Sequence, residues 1–180
     1  MDYTDFLQVL PRINTPHLNS IYVKYCGLPI SSYKIMLDKL NVSTADSLQI
    51  ISVNREANST HVEMGSSLFK GLSFLKKLVI GGTDDVTIRD NFLKEMPNLK
   101  EFDLHNSIVT DIERFNFSVL PQLESLLIYK TNLNNIDGWF NNLLNLKGLY
   151  LFQNKLRRVE RSSFDGLNSC LLYTSDAADD

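Results

Sequence analysis

The sequence predicts an α/β solenoid whose short strands pair in parallel along one face. Two observations support this prediction. Large apolar residues return with one spacing in four consecutive units of 23 or 24 residues, and two looser units precede them. A unit of this length cannot bury its own apolar side chains, so several units have to stack and share a continuous core.

The clearest unit is the segment LKGLYLFQNKLRRVERSSFDGL, which begins at Leu146. Its repeated residues fall at offsets 0, 3, 5, 8, 10, 13, 18 and 21, namely Leu146, Leu149, Leu151, Asn154, Leu156, Val159, Phe164 and Leu167. Units with nearly the same offsets begin at Leu123, Leu99 and Leu75. Side chains alternate along a strand, so offsets 3 and 5 are expected in the core and offsets 4 and 6 on an outward face.

Two looser units are expected upstream. We place their first residues at Leu18 and Leu48, which gives the first unit 30 residues and the second 27. Their strand positions are then Ile21, Val23, Ile51 and Val53. This assignment puts Glu56 at offset 8, which is a small polar residue or Asn in the other units, and Asp85 stands at offset 10 of the next unit. We therefore expect an irregular loop across residues 54–63.

These units resemble leucine-rich repeats, whose pattern is LxxLxLxxNxL followed by a closing FxxL. The resemblance covers roughly Leu18 to Ser169, and the closing motif is seen as FKGL at Phe69 and FDGL at Phe164. The closing phenylalanine is similar to the 24-residue class of extracellular proteins such as Toll, Slit and chaoptin. The resemblance implies a horseshoe segment with a parallel sheet on its concave face, where a protein ligand binds.

The resemblance also divides the chain into three parts. Residues 1–17 are expected to be an N-terminal flank or the end of a preceding repeat, and residues 18–169 to hold about six repeats. Residues 170–180, CLLYTSDAADD, resemble a translated sequencing adaptor, and we expect the repeat register to end after Ser169. Without the three aspartates of this artefactual tail, 18 basic residues face 21 − 3 = 18 acidic ones. Charge therefore gives no reason to expect a nucleic-acid partner.

A partner site is predicted at the C-terminal end of the outward face. Offsets 4 and 6 of the last two units are Leu127, Tyr129, Tyr150 and Phe152. Neighbouring strands bring these side chains together, and aromatic residues exposed together often mark a protein-binding surface. The alternative is that a neighbouring part of the protein covers this patch.

Catalytic, cofactor and metal sites are not expected, because no phosphate loop, nucleophile elbow or paired-cysteine motif occurs. His105 lies near Glu101 and Asp103 on one strand. Such a cluster can bind a metal or transfer protons, but we interpret it as a solvated polar patch on an exposed sheet. Trp139 is expected to pack against the adjacent Phe140 at the edge of the core.

No apolar run approaches the ~20 residues of a membrane helix, and no signal peptide is recognisable at the N-terminus. Sequons make Asn41, Asn58 and Asn116 candidates for glycosylation. We expect a protein-binding fragment of an extracellular or cell-surface receptor or secreted recognition protein. An intracellular adaptor, such as the substrate-recognition subunit of a ubiquitin ligase, fits the missing signal. A non-catalytic subunit of a secreted enzyme complex is a further alternative.

Overall fold

The computed structural model describes residues 19–24, 45–51, 61–82, 85–167 and 171–173. These residues form two parallel sheets of seven and three strands, joined by turns and very short helices. The predicted α/β solenoid with a parallel sheet is confirmed. The predicted flank at residues 1–17 lies outside the described residues.

One strand from each repeat enters the large sheet. Its strands are β1 (Ser20–Lys24), β2 (Ser47–Ile51), β4 (Lys77–Gly81), β6 (Glu101–Ser107), β8 (Ser125–Thr131), β9 (Gly148–Tyr150) and β10 (Leu171–Tyr173), paired in that order. The offset-3 residues of four neighbouring strands stand opposite one another and are fully buried: Leu78, Phe102, Leu126 and Leu149. Burial removes each of these side chains from water, which stabilises the fold by about 1.5–3 kcal/mol per residue.

A second, three-stranded sheet was not predicted. It contains β3 (His61–Met64), β5 (Asp85–Ile88) and β7 (Val109–Thr110). The helices within the described residues are α1 (Ser66–Phe69) and four 3-10 helices at Phe92–Glu95, Ile112–Arg114, Phe117–Val119 and Arg161–Phe164. These elements are short because a repeat of this length leaves few residues after its strand and turn.

The closing phenylalanines form the second half of the core. Phe69, Phe92, Phe117 and Phe140 are at most 1% exposed, and the rings of Phe69 and Phe92 stack at 4.3 Å. Trp139 lies in the core as predicted, at 6% exposed, but its ring contacts differ from the prediction. Its indole lies against the ring of Phe117 at 5.3 Å, in the preceding repeat, whereas Phe140 stacks on Phe164 of the following one.

The second repeat begins three residues earlier than predicted. Leu48 pairs with Leu78, which places Leu48 at offset 3 and the fully buried Ala45 at offset 0. The prediction was wrong because the LxxLxL pattern fits again three residues later, and an alanine does not stand out as a core position. The predicted offset of Ile51 is wrong by the same shift, whereas Val53 and Glu56 lie outside the described residues. Most of the expected loop at 54–63 lies outside the described residues.

Two further core assignments change. Val86 pairs with Val109 and is fully buried, so it takes the place that the spacing assigned to Asp85. Gly81 pairs with His105, but Val86 comes five residues after Gly81 and its partner Val109 only four after His105, which accounts for the shift. Val159 was predicted in the core but is 46% exposed, so this core assignment was wrong.

The turn after β8 is held by the side-chain amide of Asn154 from the next repeat. Its Oδ1 accepts hydrogen bonds from the backbone nitrogen and the hydroxyl of Thr131, at 3.0 and 2.8 Å. Its Nδ2 donates to the carbonyl oxygens of Ile128 and Leu151, at 2.6 and 2.9 Å. One asparagine therefore satisfies backbone groups of two consecutive repeats that would otherwise be buried without partners.

The large sheet continues into the segment that resembles an adaptor. β10 pairs in parallel with β9, and Leu172 stands opposite Leu149, a separation of 23 residues. The expected loss of register after Ser169 was therefore wrong for residues 171–173. Backbone hydrogen bonds to a sheet edge place little demand on side chains, so this pairing does not bear on the origin of the tail.

Ion pairs link neighbouring repeats where the strands of the large sheet begin. They are Asp46–Lys76, Lys77–Glu101, Lys100–Glu124 and Lys147–Glu124, with N–O distances of 2.9, 2.6, 2.8 and 2.6 Å. Glu124 is shared by two lysines. Hydrogen bonds from Lys100 and then from Lys147, together with their positive charges, lower the pKa of the Glu124 carboxyl to about 2.

We expect the stability of the chain to depend on pH through Glu124. Its pKa is lower in the folded than in the unfolded chain, so the carboxylate stabilises the fold above its unfolded pKa, and this contribution is lost as pH falls towards about 2. In the Glu124→Gln variant, the midpoint of urea unfolding should fall less between neutral and acidic pH than it does in the wild type. Glu113→Gln, which removes an exposed carboxylate, should retain the wild-type dependence. Equal profiles for both variants would contradict this assignment.

Candidate functional site

The outward face of the large sheet carries two rows of side chains across the strands. Offset 4 supplies Val79, Asp103, Leu127 and Tyr150, and offset 6 supplies Gly81, His105, Tyr129 and Phe152. The four residues predicted to bind a partner are Leu127, Tyr129, Tyr150 and Phe152, and we call them the aromatic patch. They lie side by side and are half-buried. Their role in binding stays a prediction.

Three rings of the offset-6 row stack face to face, and we call them the ring row. The His105 and Tyr129 rings are 5.0 Å apart at 13°, and the Tyr129 and Phe152 rings are 4.6 Å apart at 22°. Burial, and then the charge of Asp103, raise the pKa of the Tyr129 hydroxyl. Face-to-face stacking limits the rotation of each side chain. Sequence spacing predicted Tyr129 and Phe152 here but missed the stacking of His105.

Two glycines leave room for these rings. A Cβ atom at residue 81 would lie against Nε2 of His105 and 2.7 Å from its Cε1. A Cβ atom at residue 148 would lie 3.0 Å from Cε2 of Tyr150. Gly81 does not have a positive φ, so close approach of the ring, and not backbone conformation, requires glycine there. A glycine at an outward strand position was the sequence signal that a neighbouring ring lies close to the backbone there.

The cluster around His105 is only partly the solvated patch that we expected. Glu101 pairs with Lys77 in a partly exposed ion pair. Asp103 and His105 are each only 15% exposed in their side chains, and Oδ1 of Asp103 lies 2.7 Å from Nδ1 of His105. The stacked neighbouring ring shields them from water. In the part of the chain that the structure describes, no group of three potential metal ligands occurs.

One of the three predicted glycosylation sites is described. Asn116 is exposed, and its Oδ1 accepts hydrogen bonds from the backbone nitrogen of Ser118 at 3.0 Å and from the hydroxyl of Ser118 at 2.6 Å. Asn41 and Asn58 lie outside the described residues. Glycosylation of Asn116 stays a prediction.

Comparisons with known proteins agree with this geometry. Residues 121–171 match the family model described as leucine rich repeat. An internalin C2 from Listeria monocytogenes is 17% identical, with 87% of this chain and 80% of that chain covered and a TM-score of 0.51. TLR13, solved in complex with ssRNA13, is 19% identical, with 97% of this chain and 31% of that chain covered and a TM-score of 0.53. No curated protein sequence matches this chain.

Residues 121–171 thus match the leucine-rich repeat family, and the two solved structures share the fold of most of the chain. Leucine-rich repeat domains are typically binding modules, so a protein-interaction role fits the chain. The chain spans less than a third of TLR13. The TLR13 complex also means that the fold does not by itself exclude nucleic acid as a ligand. No helix in the described residues is long and apolar enough to cross a bilayer.

We expect Gly81 to be required by His105. Gly81→Ala should lower the free energy of unfolding by about 1–3 kcal/mol, because the new methyl group displaces the imidazole from the ring row. In a His105→Ala background the same change should cost little, since the obstructing ring is gone. Urea unfolding of the four chains measures this coupling. Equal costs in the two backgrounds would show that the ring does not create the requirement.

Proposed function

We propose that this chain binds a protein ligand on the outward face of its large sheet, through the aromatic patch. The observation that carries the proposal is the arrangement of the patch. Tyr129 and Phe152 are stacked at 4.6 Å, and Leu127 and Tyr150 stand opposite each other on adjacent strands. Rigid rings lose little entropy when a ligand covers them, so they make effective anchors for a partner.

The charge of this face favours a protein over a nucleic acid. Offsets 4 and 6 of β4, β6 and β8, together with Tyr150 and Phe152, include no lysine or arginine. Asp103 is the only carboxylate among them, and His105 is its hydrogen-bonding neighbour. Nucleic-acid binding depends on cationic groups that neutralise phosphates. A partner with apolar side chains, and a hydrogen-bond donor towards Asp103, fits better.

Loss of the rings should weaken ligand binding. A displayed peptide library selected on the wild-type chain provides ligands whose dissociation constants can be measured on variants. We expect Tyr129→Ala and Phe152→Ala each to weaken binding at least about tenfold, as removal of a central aromatic anchor does.

Leu144→Ala is the matched control. Leu144 is 62% exposed and lies outside the aromatic patch, so its loss should leave peptide affinity unchanged. Circular dichroism and urea unfolding check that the ring variants remain folded. Selected peptides that bind the Tyr129→Ala, Phe152→Ala double variant as tightly as the wild type would refute the proposed site.

We also propose that the protein acts outside the cell or at its surface. Support comes from the repeats of about 24 residues, the buried closing rings of Phe69 and Phe92, and the exposed sequon at Asn116. The native transcript, sequenced beyond both ends of this chain, tests the proposal. A signal peptide upstream is the expected result. Initiation at Met1 without a signal would favour an intracellular adaptor instead.

A further inference from the structure

A second concave region lies away from the aromatic patch, beside the turns that follow β7 and β8. It is a groove of about 430 Å³ with five asparagines along it: Asn116, Asn134, Asn135, Asn141 and Asn142. Its apolar floor comes from Phe115 and Trp139, which are 3% and 6% exposed. The rings of Phe115 and Trp139 hold each other edge to face at 6.5 Å, so this floor is rigid.

Most of these amides are available to a ligand. Oδ1 of Asn135 accepts a hydrogen bond from the backbone nitrogen of Asp137 at 3.0 Å, and Oδ1 of Asn116 is occupied by Ser118. Within the described residues, no partner satisfies the side-chain amides of Asn134, Asn141 and Asn142. Each free amide offers two donors and one acceptor, which is a dense set of neutral hydrogen-bonding groups.

The charges in the groove restrict the ligand further. Among the described residues that line the groove, the ionisable ones are Glu113 and Asp137, and none is a lysine or arginine. Asp137 is held in place, because its Oδ1 accepts a hydrogen bond from the hydroxyl of Ser163 at 2.9 Å. Phosphates and other anions are therefore disfavoured, whereas neutral ligands rich in hydroxyl and amide groups fit.

The groove adjoins a second cavity on the next repeat. This neighbouring cavity of about 300 Å³ shares Asp137 and Gly138 with it, and its lining adds Arg158 and Glu160, which form an ion pair with each other. Gly138 lies at the junction with φ of 74°, and a Cβ there would meet only Nδ2 of Asn141, at 4.0 Å. The absent side chain at this position keeps the two parts joined.

We propose that this groove, which we call the amide groove, binds a neutral N-acetylated saccharide. The acetamido group donates and accepts hydrogen bonds with the free amides, and its methyl group lies towards the edge of Trp139. Sugar hydroxyls are bound by the remaining amides and by the two carboxylates. The inference is independent of the proposed function, since it shares no residue with the aromatic patch.

The probe is N,N′-diacetylchitobiose, titrated into ¹⁵N-labelled chain produced in bacteria, which leaves Asn116 unmodified. We expect shifts in the Trp139 indole and in the side-chain amides of Asn134 and Asn141. Asn134→Ala, Asn141→Ala and Asn142→Gly should each weaken binding about threefold to tenfold, the effect of losing one or two neutral hydrogen bonds. Glycine is chosen for Asn142 because its φ is 66°.

Asn106→Gly is the matched control, since Asn106 is also exposed with a positive φ of 49° but lies outside the groove. It should bind the disaccharide as the wild type does, and so should Tyr129→Ala. Cellobiose, which lacks acetamido groups, should bind more weakly. The proposal would be overturned if no NMR shifts appeared at the highest soluble concentration of the disaccharide. It would also be overturned if the three groove variants bound the disaccharide as tightly as the wild type. Equal binding of cellobiose would overturn the acetamido preference.

A second arm distinguishes the source of the sugar. The chain is secreted from insect cells with an added leader, alone and as Asn116→Gln. If a glycan on Asn116 itself fills the groove, the glycosylated chain should not bind the disaccharide and Asn116→Gln should regain binding. If the sugar belongs to another molecule, both secreted forms should bind it.

Discussion

Each repeat buries its apolar side chains against the next one, and the rest of the structure depends on this mutual burial. Leu78, Phe102 and Leu126 stand opposite one another because each needs the others to exclude water. The parallel pairing that results spaces the strands by about 4.8 Å. Flat rings stack at nearly this distance, and the ring row has separations of 5.0 and 4.6 Å. The geometry of the outward face is therefore set by the core beneath it.

The two candidate sites use the same repeats in chemically different ways. The aromatic patch is built on strands, where successive side chains occupy equivalent places, and its rings support one another. The amide groove is built on turns, where Asn116 of one repeat and Asn134 and Asn141 of the next line the same cavity as Trp139. One surface is apolar with a single carboxylate nearby, and the other is polar and mildly acidic. Ligands suited to one surface are therefore poorly suited to the other.

The spacing of apolar residues predicted the four C-terminal repeats and the aromatic patch, because alternation on a strand follows directly from sequence. It failed where a core residue is small or a turn has a different length. The sequence did not mark Ala45 as a core residue, because alanine is small. One extra residue after β4 placed Val86 in the core position that was expected for Asp85. The three-stranded sheet and the amide groove were missed because turns carry no periodic signal. His105 was placed correctly, but its burial depends on Tyr129 of another repeat.

Gly81 determines where the ring row ends. The imidazole of His105 lies over this residue, so the row cannot extend to β4 as long as the ring occupies that space. The position of one glycine on the outward face thus sets the number of strands that the ring row covers. Moving the glycine by one repeat would lengthen or shorten the row by one strand separation while leaving every core residue in place. Related solenoids can in this way change how much of a ligand they cover in discrete steps, without a change in any core residue.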